Sequence, residues 1–399
     1  MNNKGYPLLC DDLQCTGCMA CANVCLHNAL EFSTNKEGFY RPSLVPDKCV
    51  MCGLCERVCP VLNPITNERA DIQVYAAWHK DESIRLQSSS GGAFTALAET
   101  VLRKKGVVFG AAFSDAMIVE HIGITEDKDL SKLRLSKYVQ SRIGESFKKV
   151  KAYLLSGKTV MFVGTPCQIA GLKAFLHKDY DNLLLVDFIC HGVPSKDAFS
   201  FYLNWLGEKY GTIKHINFRD KRKGWYDNLR VIKDENGNET VLKGNQDSYF
   251  IAFNKNNNLQ ESCYNCPMLG IPRCSDITLA DFWRIGTKIP FIHKAEIANG
   301  ISLIVTNSPK ASYFLADASK DLIIENRSIE EALDGNSAAF RSCNRPSSRT
   351  TFYADLYRMD YVSFISKYMK QTCKNRVIQQ VREVLPSGLL KYLRGFTQK

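Results

Sequence analysis

The sequence has no apolar run approaching the roughly 20 residues a membrane-crossing helix requires. Its start, MNNKGYPLLCDDLQC, has no apolar stretch leading to a small-residue cleavage site, so a cytoplasmic protein is expected. Neither G-x-G-x-x-G nor G-x-x-x-x-G-K-[ST] occurs, which leaves an ordinary dinucleotide or P-loop fold unsupported. Signatures of RNA or DNA binding are missing, and the net charge of +11 does not supply one. From Phe364 onward there are eight Lys or Arg against the single acid Glu383, so the basicity is mostly that of the tail. No nucleic-acid partner is therefore expected. What the chain has in quantity is cysteine, 16 in 399 residues. In a reducing compartment these are metal ligands or redox groups rather than disulfides.

Eight of them fall in two runs, CTGCMACANVC (15–25) and CVMCGLCERVCP (49–60). Each is C-x2-C-x2-C-x3-C, the bacterial ferredoxin spacing, in which three thiolates hold one cubane and the fourth crosses to the other. The first cluster is expected on Cys15, Cys18, Cys21 and Cys59, the second on Cys49, Cys52, Cys55 and Cys25. Leu26 stands where a proline usually follows the fourth cysteine, which costs no ligand. Paired zinc sites are the competing reading, but zinc knuckles set two C-x2-C pairs across a longer gap. The segment between the runs reads as a hairpin turning at Gly38.

Beyond Pro64 the pattern alternates. Strands are expected at 72–78, 107–113, 117–125, 159–164 and 182–190, with helices at 88–106, 143–156, 166–176 and 196–211. That alternation argues for an α/β core, followed by an antiparallel meander through INFRDK, NLRVIKD and ETVLKG. SSSGG (88–92) and GTPCQ (164–168) each sit where a helix begins, where free amides attract anions and Gly permits close approach. Ordinary turn and cap chemistry explains either one alone.

ESCYNCPMLGIPRC adds Cys263, Cys266 and Cys274 at ligand-like spacing. A third iron–sulfur site is expected there, with Cys190 of FICHG as fourth ligand and Cys167 of GTPC as the alternative. A zinc knuckle is the competing reading. Cys10, Cys343 and Cys373 have no partner at ligand spacing.

Together the ferredoxin pair, QSSSGGAFTAL, LSKYVQS, MFVGTPCQIAGLK, VDFICHGVPS, INFRDKRKGW, DITLADFW and FRSCNRPSSRTTF resemble the coenzyme F420 hydrogenase/dehydrogenase beta-subunit family. The resemblance implies an oxidoreductase that binds FAD and moves electrons between it and [4Fe-4S] clusters. Its members include deazaflavin-dependent subunits and proteins encoded among polysaccharide-biosynthesis genes. Carried over onto these residues, Ser90, Gly91, Gly92, Lys137, Tyr138, Gln140 and Ser141 line one side of the FAD site. Gly164, Thr165, Pro166 and Gln168 line the other. Arg219, Lys221 and Asp281 become candidate polar contacts near flavin or substrate, against a plain salt bridge. His191, beside Cys190, becomes a candidate for proton delivery, against a satisfied loop histidine. FAD exchanges a hydride as two electrons and each cubane passes one, so the pair converts between the two.

The expected architecture is an α+β multidomain chain. A 2[4Fe-4S] ferredoxin-type domain occupies 1–64, an α/β flavin-binding domain with an antiparallel portion 70–345, and a basic helical tail 346–399. Helices packed on the core are preferred for that tail over membrane-surface contact. The expected partners are a one-electron redox protein or ferredoxin and a small-molecule hydride donor or acceptor. Two other functions compete: a non-catalytic electron-transfer subunit of a larger complex, and a zinc-stabilised interaction protein.

Overall fold

The structure is a computed structural model that describes residues 7–65, 71–227, 229–244 and 247–368. Among the described residues there are thirteen strands, beginning with β1 Leu30–Thr34, β2 Tyr40–Leu44, β3 Gln73–His79, β4 Val107–Phe113, β5 Val119–Ile124, β6 Val160–Val163 and β7 Leu183–Phe188. Then come β8 Ile213–Asp220, β9 Leu229–Asp234, β10 Glu239–Lys243, β11 Ile277–Asp281, β12 Ser302–Thr306 and β13 Leu322–Asn326. β1 and β2 form the expected hairpin, and β8–β10 the expected antiparallel meander.

The other eight make one sheet in the order β13-β3-β12-β11-β7-β6-β4-β5. Its centre, β11-β7-β6-β4, is parallel and its flanks antiparallel. The parallel strands β6 and β7 are mainly apolar, as burial on both faces demands: VMFV has no polar residue and LLLVDF only Asp187. The helices Ala93–Arg103 and Pro166–Leu176 follow β3 and β6. With β4, β6, β7 and β11 parallel, their carboxyl ends open on one edge, where open α/β sheets place their ligands.

The two cysteine runs repeat their backbone more faithfully than their residues. Gly17 and Met51, each two positions after the first cysteine, both take positive φ, 67° and 57°. Met19 and Gly53, each one position after the second cysteine, do the same at 61° and 70°. Each then starts a short helix, Ala20–Val24 or Leu54–Arg57. Left-handed backbone is costly for Met, so the turn around the ligands dictates the conformation whichever residue stands there.

The segment around the runs does not have a core to itself. Cys18, Met19, Ala20 and Val58 pack into one buried cluster with Phe147, Ile169, Leu172 and Phe175 of the large sheet's helices. Gly171 makes this approach close, since a Cβ there would lie 2.9 Å from the Cys18 sulfur. At the other end, the helices Arg349–Leu356 and Tyr361–Tyr368 bury Phe352, Tyr353 and Phe364 against Phe199 and Tyr202. Arg349, 1% exposed, grips Glu37 of the hairpin through two bonds of 2.7 and 2.6 Å. The first part of the tail is thus packed on the core, while the helix expected over NRVIQQVREVLPSGLLKYLRGF lies outside the described residues.

Candidate functional site

A cavity of about 550 Å³ lies at the carboxyl edge of the parallel strands, within the range of small-molecule sites. Of the residues expected to hold FAD, Ser90, Gly92, Lys137, Tyr138, Gln140, Ser141, Gly164, Thr165 and Gln168 line it. Gly91 and Pro166 are not among the lining residues. Gly91 instead lets the backbone cross its neighbours: a Cβ there would meet the Ala77 carbonyl at 2.4 Å and the Ser302 amide at 2.6 Å. Pro166 is the first residue of the helix Pro166–Leu176, where its missing N–H is no loss.

Both helix starts are built by local chemistry. Gly92, at φ +92°, caps Ala93–Arg103, and the Ser90 hydroxyl donates to the Ile301 carbonyl at 2.8 Å. The Ser89 oxygen accepts from the Ser136 amide at 3.0 Å, which ties the SSSGG loop to the segment carrying Lys137. At the second start Thr165 and Gln168 form a reciprocal capping box. Gln168 then donates to the Ser141 hydroxyl at 2.9 Å. The Lys137 ammonium donates to the carbonyls of Lys132 and Arg134 at 2.9 and 2.6 Å, and burial draws its pKa down to about 7. The Tyr138 ring meets the edges of Phe218, Phe250 and Phe253.

The three residues expected to act in chemistry all line the cavity. Arg219 donates to Asp281 at 2.9 Å, and the Trp225 indole donates to the other Asp281 oxygen at 3.2 Å. The guanidinium lies 5.5 Å over the Trp283 ring, which stacks on Trp225 at 4.6 Å. Burial works against the Arg219 charge, and Asp281 more than restores it. His191 sits 2.7 Å from the Asn256 amide oxygen. Lys221 is not a lining residue: its ammonium is turned onto the carbonyls of Arg85, Ser90 and Asn299, the last two at 2.6 and 2.7 Å.

Sequence reasoning missed several lining residues. Asp187 and Trp283 lie inside motifs quoted for other residues, whereas His121 carries no motif. The His121 Nε2 pairs with the Val163 carbonyl at 3.0 Å, and burial lowers its pKa to about 4, so the ring is neutral at pH 7. Its Nδ1 and the Arg219 Nη2 are buried without a hydrogen-bond partner, whereas the buried Asp187 carboxylate pairs through Oδ2 with Arg273 at 3.5 Å. Buried polar atoms are ordinarily satisfied, so these orphans beside a cavity fit a polar ligand there. Two helix starts, a cationic Lys137 and flat aromatic walls suit an anionic cofactor bearing a planar ring.

The cysteines gather in two places. Cys15, Cys18, Cys21 and Cys59, the expected first-cluster ligands, line one small cavity together with Cys10 and Cys55. In the second expected set, Cys52 is exposed at the surface and near enough to Cys55 to bear on its charge, while the Cys25 sulfur accepts from the Ala29 amide at 3.3 Å. At the edge of the large cavity, burial and then Cys190, Cys167 and Cys266 push the Cys263 thiol well up. Burial followed by Cys167 and Cys266 does the same to Cys190. Cys167, Cys190, Cys263 and Cys266 are thus near enough to bear on one another's charge, and the Cys343 thiol, which donates to the Cys263 carbonyl at 3.7 Å, lies beside them.

Cys274 does not join that group. It precedes Asp276, whose amide pairs with Leu185, so it enters β11 at the end opposite to that from which Cys190 leaves β7. After burial, the groups that shift its thiol begin with Asp187 and Lys173. Among the described residues no three His, Cys, Asp or Glu side chains converge on a point as around one metal ion. Thiolates on a single zinc would crowd to within about 4 Å of one another, whereas a cubane spreads its ligands over four corners.

Three family models match the chain. Residues 14–63 match a 4Fe-4S dicluster domain. Residues 74–148 match the N-terminal model, and residues 157–332 the C-terminal model, of "Coenzyme F420 hydrogenase/dehydrogenase, beta subunit". Two curated relatives, both named archaeal-type glutamate synthase [NADPH], come from Thermotoga sp. (strain RQ2) and Thermotoga maritima. Each is 32% identical over 85 residues, 21% of this chain, and the match spans 16% of the relative's own length. A chain of the F420-reducing [NiFe] hydrogenase complex from Methanosarcina barkeri aligns with 16% identity and a TM-score of 0.46. That alignment covers 69% of this chain and 89% of the other.

Proposed function

The chain belongs to the coenzyme F420 hydrogenase/dehydrogenase beta-subunit family, with a 4Fe-4S dicluster domain ahead of it, and on that premise we propose that it is an FAD-containing iron–sulfur oxidoreductase. One observation carries the reading. The large cavity touches the cysteine group through Cys167 and Cys190, and touches the dicluster segment through Thr16 and Gly17. A cofactor in the cavity is thereby in reach of both sets of sulfur ligands.

When bound, FAD supplies two-electron hydride exchange with a small molecule and one-electron exchange with clusters. The protein's own residues do the rest. Lys137 and the starts of Ala93–Arg103 and Pro166–Leu176 hold the negative part of the cofactor. Trp283 and Phe188 would take its flat part, and Arg219, fixed by Asp281, would serve as a polar contact beside it. Cys167, Cys190, Cys263 and Cys266 would hold a third cluster. From Cys167 to Gly171, where Cys18 of the first cluster packs, is four residues of helix, about 6 Å of rise. With clusters bound, the exposed Cys52 would put the second one at the surface, where a one-electron partner could reach it. The small-molecule partner is a hydride carrier of the deazaflavin kind for which the family is named.

The test is anaerobic purification with iron, sulfide and flavin quantified. About twelve irons per chain, at four for each of three cubanes, and one FAD are expected. Colourless zinc-loaded protein would sink the proposal. Iron-loaded protein that binds flavin but exchanges no hydride unaided would make it an electron-transfer subunit instead.

A further inference from the structure

A cubane takes four thiolates, and the cavity of the first cluster offers one thiol too many. Cys55 belongs by spacing to the second cluster, which leaves Cys10 beside Cys15, Cys18, Cys21 and Cys59. Cys10 stands outside the ligand spacing, and a built turn folds it back. The Asp11 carbonyl accepts from the amides of Gln14 at 3.0 Å and Cys15 at 2.7 Å, closing a turn between Cys10 and Cys15. The Asp11 carboxylate accepts from the Leu13 amide at 2.8 Å within that turn. Asp12 staples it to the hairpin through Arg41 at 2.6 Å and Asn35 at 2.8 Å. The Cys10 side chain thereby lines the same small cavity as those of Cys15 and Cys59.

We propose that Cys10 is a reserve ligand of the first cluster, which shares one iron corner with Cys15. In the exchange an iron–sulfur bond to Cys10 forms as the bond to Cys15 breaks. The proton of the Cys10 thiol passes to the Cys15 sulfur, and no electron is gained or lost. The arrangement keeps a corner closed if the Cys15 sulfur is lost, and it rests on the dicluster reading of residues 14–63.

The full-length chain decides this by iron and sulfide content and by low-temperature EPR of the reduced protein, all prepared without oxygen. C10S and C15S are each expected to keep the wild-type iron, whereas C10S/C15S loses about four irons per chain, as C18S does. A C15S protein as depleted as the double variant overturns the proposal. So does a C10S protein that loses the cluster while C15S keeps it, because Cys10 would then be the resident ligand. Where a serine variant fails to fold, the wild type is alkylated slowly with iodoacetamide while loaded with iron. Label at both Cys10 and Cys15 is expected, and label confined to Cys10 overturns the proposal. Iron-free wild-type protein would overturn the dicluster reading as well, and is thereby distinguished from an iron-loaded wild type with a depleted C15S.

Discussion

The two cysteine assemblies are built by opposite means. The first draws Cys15, Cys18 and Cys21 from seven consecutive residues, around a backbone turn that the second run repeats position for position. The group at the large cavity draws Cys167 from a helix start, Cys190 from the end of β7, and Cys263 and Cys266 from a loop about 70 residues further on. A local assembly announces itself in spacing. A non-local one exists only once β6 and β7 lie side by side and the segment before Cys263 pairs with the chain beyond β7, Gln260 with Val193 and Leu259 with Pro194.

The comparison breaks most visibly through the ligands. Cys18→Ser should remove about four irons per chain while leaving the flavin, because Cys18 does not line the large cavity. Loss of flavin as well would mean that the two assemblies do not form separately. Cys190→Ser should also cost about four irons, whereas Cys274→Ser should cost none, since Cys274 lies at the other end of the paired strands. If Cys274→Ser proves the depleted one, sequence spacing was the better guide and the four-cysteine group is a coincidence of packing.

That contrast also measures how far the sequence could be read. The C-x2-C-x2-C-x3-C runs, the hairpin at Gly38 and the helix 166–176 appear where they were expected, because each rests on contacts within a few residues. Nine of eleven expected cofactor residues line one cavity, although resemblance rather than periodicity pointed to them. Strands β11, β12 and β13 were not expected, yet they supply three of the large sheet's eight strands. β12 and β13 pair with β3 across more than 200 residues, a register no local window contains. The expected set of Cys263, Cys266 and Cys274 with Cys190 or Cys167 follows closeness in sequence, whereas Cys274 enters β11 at the end away from Cys190. His121 could not be found at all, for its part is played by an orphaned ring nitrogen.

The seam between the assemblies offers smaller effects. A Cβ at Gly171 would stand 2.9 Å from both the Cβ and the sulfur of Cys18, so Gly171→Ala forces the first cluster away from the helix Pro166–Leu176. Overpacking of this kind costs about 1–3 kcal/mol, read as a lower denaturation midpoint. Iron content should stay at the wild-type value, while reduction of the first cluster from the cavity slows in stopped-flow absorbance. An unchanged rate would show that electrons reach the dicluster segment by another path, through Thr16 and Gly17 at the cavity wall.

The gentlest test concerns the cavity alone. Burial holds the Lys137 pKa at about 7, and its ammonium has only carbonyl dipoles to lean on. An anionic cofactor placed beside it favours the charged form, so binding raises that pKa. The sign follows from proton uptake. Below pH 7 the lysine is already charged in free protein and affinity is flat. Above pH 7 binding must take up a proton, and affinity falls as pH rises, by at most about tenfold per unit for one proton. Flavin titration between pH 6 and 9 should show this decline, and Lys137→Met should flatten it while weakening binding at pH 6. A decline that survives the substitution would assign the proton to another group. Lys221 is the first to examine, since burial also draws its pKa to about 7 and it holds the Ser90 carbonyl in place.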